Sequence, residues 1–108
     1  MMVDDDTYGG YVARHDRPPA FEGRDGHAYS VDVLVDHATE GAGPFGAAFV
    51  FVRWSDGAEQ PAGHVETGYL AFGATPVEAE RELFEMSLYD VKAELDRAIA
   101  ARQALGDW

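Results

Sequence analysis

The sequence predicts an α+β fold: an antiparallel three- to four-stranded meander followed by two C-terminal helices packed on one face. Three stretches carry that reading. Residues 27–37, "HAYSVDVLVDH", alternate apolar and polar side chains, and residues 45–54, "FGAAFVFVRW", are apolar at nearly every position. Residues 74–106 then hold two helix-start signals, one at Thr75 and one at Ser87.

In chain order, residues 1–7 read as a flexible acidic tail ahead of a single domain over residues 8–108. Tyr8 to His15, "YGGYVARH", alternates aromatic and small residues like a short edge strand, which its paired glycines weaken. Residues 16–26, "DRPPAFEGRDG", are rich in proline, glycine and mixed charge and read as loop. In the strand that follows, Tyr29, Val31, Val33 and Val35 share one face, while Ser30, Asp32 and Asp36 take the other. Residues 38–44, "ATEGAGP", break it.

The run at 45–54 puts Phe49 and Phe51 on one side and Val50, Val52 and Trp54 on the other, the pattern of an interior strand covered on both faces. Residues 55–63 form a turn headed by Asp56-Gly57. Residues 64–73, "HVETGYLAFG", make the last strand, interrupted by Gly68. Connections this short make neighbouring strands antiparallel.

Thr75-Pro76-Val77-Glu78 is a capping box. The Thr75 hydroxyl can accept from the Glu78 amide, Glu78 can reach back to the Thr75 amide, and Pro76 sits at the first helical position, where its missing N–H costs nothing. Ser87-Leu88-Tyr89-Asp90 repeats the form, and Leu88, Val91, Leu95 and Ile99 follow as an apolar stripe. One helix from Pro76 to Leu105 would run about 45 Å, overhanging a ten-residue strand of about 33 Å. A break at Ser87, giving helices near 76–86 and 88–104, is favoured over an unbroken rod whose far end packs on a second copy. Gly106 supplies the stop.

With 108 residues there is room for one modest core. Lys and Arg total 8 against 20 Asp and Glu, a formal charge of −12. Such a chain repels phosphate backbones and anionic membrane surfaces and attracts cations or a basic protein; the same charge also serves solubility. The absence of Cys removes disulfides and thiolate chemistry. The start lacks a signal peptide's charged and apolar regions, and no apolar run approaches the roughly 20 residues that span a bilayer, so a soluble, cytoplasmic protein is expected.

No motif points to catalysis, a metal or a cofactor. His15, His27, His37 and His64 include no pair at helical metal spacing, and His27 and His37 fall at opposite ends of one strand. His37 with Asp36, or His64 with Glu66, could meet at a sheet edge, the ordinary setting of solvated histidines. Ser30, Ser55 and Ser87 lie in no nucleophile elbow, and the glycine-bearing "YGGY" and "EGAGPFG" lack phosphate-binding fingerprints. Acid pairs such as Glu78/Glu82 or Glu80/Asp90 match the outer face of an amphipathic helix.

The apolar content of both strand faces is more informative. Leu70 and Phe72 alternate with Tyr69 and Ala71, as Val52 and Trp54 alternate with Phe51 and Arg53. A second apolar face on a single sheet needs a cover: the N-terminal segment, another copy of the chain, or a ligand. Self-association is preferred. Trp54, Phe72, Leu70, Val52, Leu95 and Ile99 are the interaction or ligand candidates. A small-molecule-binding or enzymatic domain is the alternative, and it requires a closed pocket lined by Trp54, Phe72 and a histidine.

The strand leading into "GATPVEA" resembles HicB-like antitoxin domains, whose Gly-x-Thr-x-x-Glu-Ala segment is matched by Gly73, Thr75, Glu78 and Ala79. That resemblance covers about forty residues, and its motif is largely a capping box. It implies an antitoxin-like partner of a small basic protein. The chain departs from the family in placing a second helix where a strand usually returns, and it shows no DNA-binding segment. The sequence thus leads to a small, acidic, non-catalytic interaction module, expected to be homodimeric.

Overall fold

The computed structural model describes residues 6–38, 43–57 and 59–106. The elements run α1 (Tyr8–His15), β1 (Ala20–Glu22), β2 (Ala28–His37), β3 (Phe45–Trp54), β4 (Pro61–Glu66), β5 (Ala71–Gly73), α2 (Pro76–Glu85) and α3 (Leu88–Ala104). All strand pairings are antiparallel, in the order β1-β2-β3-β4, with β5 beside the other end of β3. The α+β meander with two C-terminal helices is therefore the fold.

Tyr8–His15 is a helix and not the expected edge strand. The Thr7 hydroxyl caps it by accepting from the Gly10 amide at 3.0 Å, and Asp16, in the left-handed region at φ 53°, closes it through its amide to the Val12 carbonyl. The glycines that weaken a strand serve a helix contact here. A Cβ at Gly9 would stand 2.9 Å from the Phe84 carbonyl oxygen, so only glycine lets α1 lie this close to α2. Tyr8 fills the space between, its ring 5.4 Å from Phe49 and 5.2 Å from Phe84, and its hydroxyl donates to the Val31 carbonyl at 3.0 Å.

The stretch read as loop at 16–26 hides the three-residue strand β1, which begins directly after the proline pair, with Phe21 opposite Tyr29. A strand this short, led by prolines that donate nothing, suits a sheet edge. The last strand, expected as one piece over 64–73, is two. Between Val50↔Glu66 and Ala47↔Ala71 the chain takes five steps against three on β3. Residues 67–70 carry the surplus as a bulge, yet β3 keeps its partners: the Thr67 and Leu70 amides donate to the Phe49 and Ala47 carbonyls, and the Phe49 amide donates to Thr67 Oγ1. The expected turn holds Gly57 at φ 85° and closes through the Ser55 amide to the Gln60 carbonyl. Of the break read at 38–44, residues 39–42 lie outside the described residues, as do residues 1–5 of the tail.

The helical half divides at Ser87 as the sequence predicts. Thr75 Oγ1 accepts from the Glu78 amide at 3.2 Å, and Ser87 Oγ accepts from the Asp90 amide at 3.0 Å. The Glu78 carboxylate reaches one residue further back than expected, to the Ala74 amide at 2.9 Å. Met86 is extended (φ −66°, ψ 140°), so the ladder stops there. The chain start secures the junction: Thr7 bridges to Ser87, the Tyr8 amide donates to the Met86 carbonyl, and the Leu88 amide donates to the Asp6 carbonyl. Gly106, at φ 81°, ends α3.

Tyr29, Val31, Ala47, Phe49, Phe51, Val65 and Ala71 from the sheet meet Tyr8, Ala79, Leu83, Val91, Leu95 and Ile99 from the three helices in one buried cluster. All three helices therefore lie on the same side of the sheet. The Cα extents, 38 × 37 × 21 Å, describe a slab two layers thick.

Candidate functional site

Among the described residues, no helix lies on the other side of the sheet, although Gly46 and Ala48 are buried there. Alternation along the strands places on it Ser30, Asp32, Leu34 and Asp36 of β2, Gly46, Ala48, Val50, Val52 and Trp54 of β3, His64 and Glu66 of β4, and Phe72 of β5. The register arranges these in rows. Asp32 and Glu66 flank Val50, Ser30 and His64 flank Val52, and Leu34 stands beside Ala48. Asp36 and Phe72 flank Gly46.

The result is an apolar strip along β3 between carboxylates on the neighbouring strands. None of these strand positions is Lys or Arg. At one end Tyr69, carried by the bulge, lays its ring over Gly46, where a Cβ would meet it at 2.7 Å, and packs edge-on against Phe72 at 5.9 Å. At the other end the Trp54 indole donates to Ser30 Oγ at 3.0 Å. Two shallow grooves follow the strip. One, of about 330 Å³, runs past Leu34, Asp36, Ala48, Glu66 and Tyr69. The other, of about 460 Å³, is formed by Val50, Val52, Pro61, Gly63 and His64.

A polar cluster stands at the Trp54 end, on the helix side. Asp25 accepts from the Tyr29 hydroxyl at 2.8 Å and the His27 amide at 3.2 Å, and Arg53 Nε lies 3.3 Å from the same carboxylate. Arg53 Nη2 is 3.1 Å from His27 Nδ1, and His27 Nε2 is 3.7 Å from Asp56. Burial works to raise the Asp25 pKa, but the Tyr29 and His27 hydrogen bonds with the Arg53 and His27 charges outweigh it and hold the carboxyl below the usual range. Burial first, then the bond to Asp25 and its negative charge, push the Tyr29 phenol well above its ordinary value. An ionised carboxylate held by three partners and a phenol locked in its neutral form make a brace between β2, β3 and the 23–27 loop. They do not make an acid–base pair. The cleft beside them, bounded by His27, Trp54, Ser55 and Asp56, is about 260 Å³ and open, below the usual range of ligand pockets.

No protein family's sequence model matches this chain, and no characterised protein or solved structure is significantly similar to it.

The structure sorts the sequence-selected residues into three places. Val52, Trp54 and Phe72 share the uncovered face, but Phe72 and Trp54 stand at its two ends, about 27 Å apart along β3. Trp54 and His27 meet in one cleft and Phe72 does not, so the three-way pocket expected of a small-molecule site is not formed. Leu70, 37% exposed, lies beside α3 with Glu94, Arg97 and Ala98. Leu95 and Ile99 are fully buried in the chain's own core. The N-terminal segment, one of the expected covers for the second face, packs with its helix on the first. Sequence reading missed the Asp25–Tyr29–Arg53 brace, whose one visible signal was a lone Arg on the apolar side of β3. Among the described residues, no three His, Asp or Glu side chains group as they would around a metal ion, and no helix is long and apolar enough to cross a membrane.

Proposed function

We propose that this chain is a small, acidic, non-catalytic protein-interaction module that binds through the uncovered face of its sheet. One observation carries the reading: Val50, Val52, Trp54, Leu34, Tyr69 and Phe72 lie on a sheet face that none of the described helices covers. Apolar surface of this extent and continuity marks an interaction site on a small protein. The slab's broad face has room for the roughly 800 Å² per partner that a stable complex buries. The charge of −12 supports a basic protein as partner, the antitoxin-like form of the same function. Self-association is the other form, with a second copy on the same face.

The test is a comparison of the wild type with Val50→Asp/Val52→Asp, using light scattering and Nile red, a neutral apolar dye. The wild type should form a dimer or take up the dye, and the variant should do neither while keeping its circular dichroism. A wild-type chain that stays monomeric at tens of micromolar, leaves the dye dark and binds no basic amphipathic peptide overturns the reading.

A further inference from the structure

Resting on that reading, we infer that the occupant of the uncovered face is an amphipathic helix of a basic protein, with an apolar stripe flanked by Lys or Arg, rather than a second copy of this chain. Charge decides between the two. Among the described strand positions, the face carries Glu22, Asp32, Asp36 and Glu66, all exposed, against one basic-type side chain, His64. Two copies laid face to face would bring both sets of carboxylates into one poorly hydrated layer, where like charges repel strongly. A basic partner converts the same groups into attraction.

Geometry selects a helix. The strip is one strand wide, and Asp32 and Glu66 flank Val50 on the two adjacent strands, about 9.6 Å apart at ordinary strand spacing. A helix is about 10 Å across with its side chains, so one lying along β3 would seat its stripe on Val50, Val52 and Trp54, which are partly exposed. Its flanking cations would then reach Asp32 and Asp36 on one side and Glu66 on the other. The two grooves beside the strip receive the side chains at the stripe's margins. The partly exposed part of the strip, Val50 to Trp54, runs about 14 Å, the length of about nine helical residues, so an 18-residue helix spans it and continues to the Tyr69 end. A helix there would add a third layer with the same sheet–helix packing that α2 and α3 form on the first side.

The probe is a synthetic 18-residue helix with a Leu/Ala stripe and Lys flanks, titrated into the full chain by calorimetry. Its companions are the same peptide with Glu flanks and a scrambled Lys peptide without a stripe. The Lys helix should bind one to one at micromolar strength and the other two at least about tenfold more weakly. Raising salt from about 0.05 to 0.5 M should weaken it about tenfold or more, and Asp32→Asn/Glu66→Gln should do likewise while the fold is kept. Val52→Asp separates docking from mere attraction. It makes the chain more acidic, so non-specific binding strengthens, whereas seating on the strip weakens by at least about tenfold.

Binding of the scrambled peptide as tightly as the helix, or a Val52→Asp variant that binds no worse, overturns the inference. A wild-type dimer that Val52→Asp dissociates, with no peptide bound, gives the face to a second copy: the occupant is then wrong and the interaction reading stands. If peptide, dimer and Nile red signals are all absent, both fail.

Discussion

Strand β3 is one strand with two environments. Phe49 and Phe51, on its helix side, are fully buried, whereas Val50 and Val52, the residues between and after them, are only half-buried on the other. The same apolar run that gives the chain its core leaves Val50, Val52 and Trp54 partly exposed on the other face. What distinguishes the two sides is what packs on them. Side-chain hydrophobicity marks a residue as needing cover, and topology decides whether the chain provides it. Here three helices all go to one side.

Substitutions on the two sides should differ sharply. Leu95→Asp and Ile99→Asp place an unpaired charge in the core and should unfold the chain, costing about 4 kcal/mol or more against a total of order 5–15 kcal/mol. Loss of the folded circular dichroism signal checks this, and unchanged melting would show the stripe is not buried. Phe49→Ala should cost about 3–5 kcal/mol in urea unfolding. Val50→Ala, one residue along but on the open side, should cost under about 1 kcal/mol. Equal losses at 49 and 50 would mean both faces are covered. Ser87→Ala should cost about 1 kcal/mol through the lost cap, seen as a small shift in urea midpoint. It should leave peptide binding unchanged, because Ser87 lies on the helix side.

The pH dependence belongs to the helix side too. Asp25 has a lowered pKa when folded, so it contributes stability above the ordinary carboxylate pKa of about 3.9, and that contribution is lost as pH falls through its folded value. Tyr8 is pushed up to about 12 by burial and then by the Asp32 and Glu80 charges, and Tyr29 is raised as well. Their contribution is complete below pH of about 10 and is lost as pH rises through the folded values. Tyr8→Phe should therefore flatten the alkaline loss of stability seen in melting curves between about pH 10 and 12. An alkaline limb identical to the wild type would show that the phenol is solvated.

Much of this architecture was legible in the sequence because its determinants are local. The alternation in residues 27–37 sets the buried side of β2, and the hydroxyls of Thr75 and Ser87, each three residues before an acidic residue, set where both helices begin. What stayed hidden depends on distant residues. Tyr8-Gly9-Gly10 has poor intrinsic helix propensity and becomes α1 because Phe84 and Phe49 receive Tyr8. β1 is held by β2, and the bulge at 67–70 by the register that β3 imposes on both sides of it. The uncovered face was legible in part. Val52, Trp54 and Phe72 stood out as apolar residues on a second face, but their placement on one strip needed the pairing of three strands. Leu95 and Ile99 stood out for the same apolarity and belong to the core, because helix periodicity reports that a stripe is buried without reporting against what.

The short bridge joining Asp6 and Thr7 to Met86, Ser87 and Leu88 has a consequence for the order of assembly. It ties positions about eighty residues apart, among the most distant contacts the chain makes. Closing a loop of that length costs more chain entropy than forming any hairpin here. The β2–β3 hairpin and the two capped helices can form from local contacts. The corner between α2 and α3 becomes fixed only when the chain's first described residues return to it, so its amides should be the last to gain protection from hydrogen exchange during refolding.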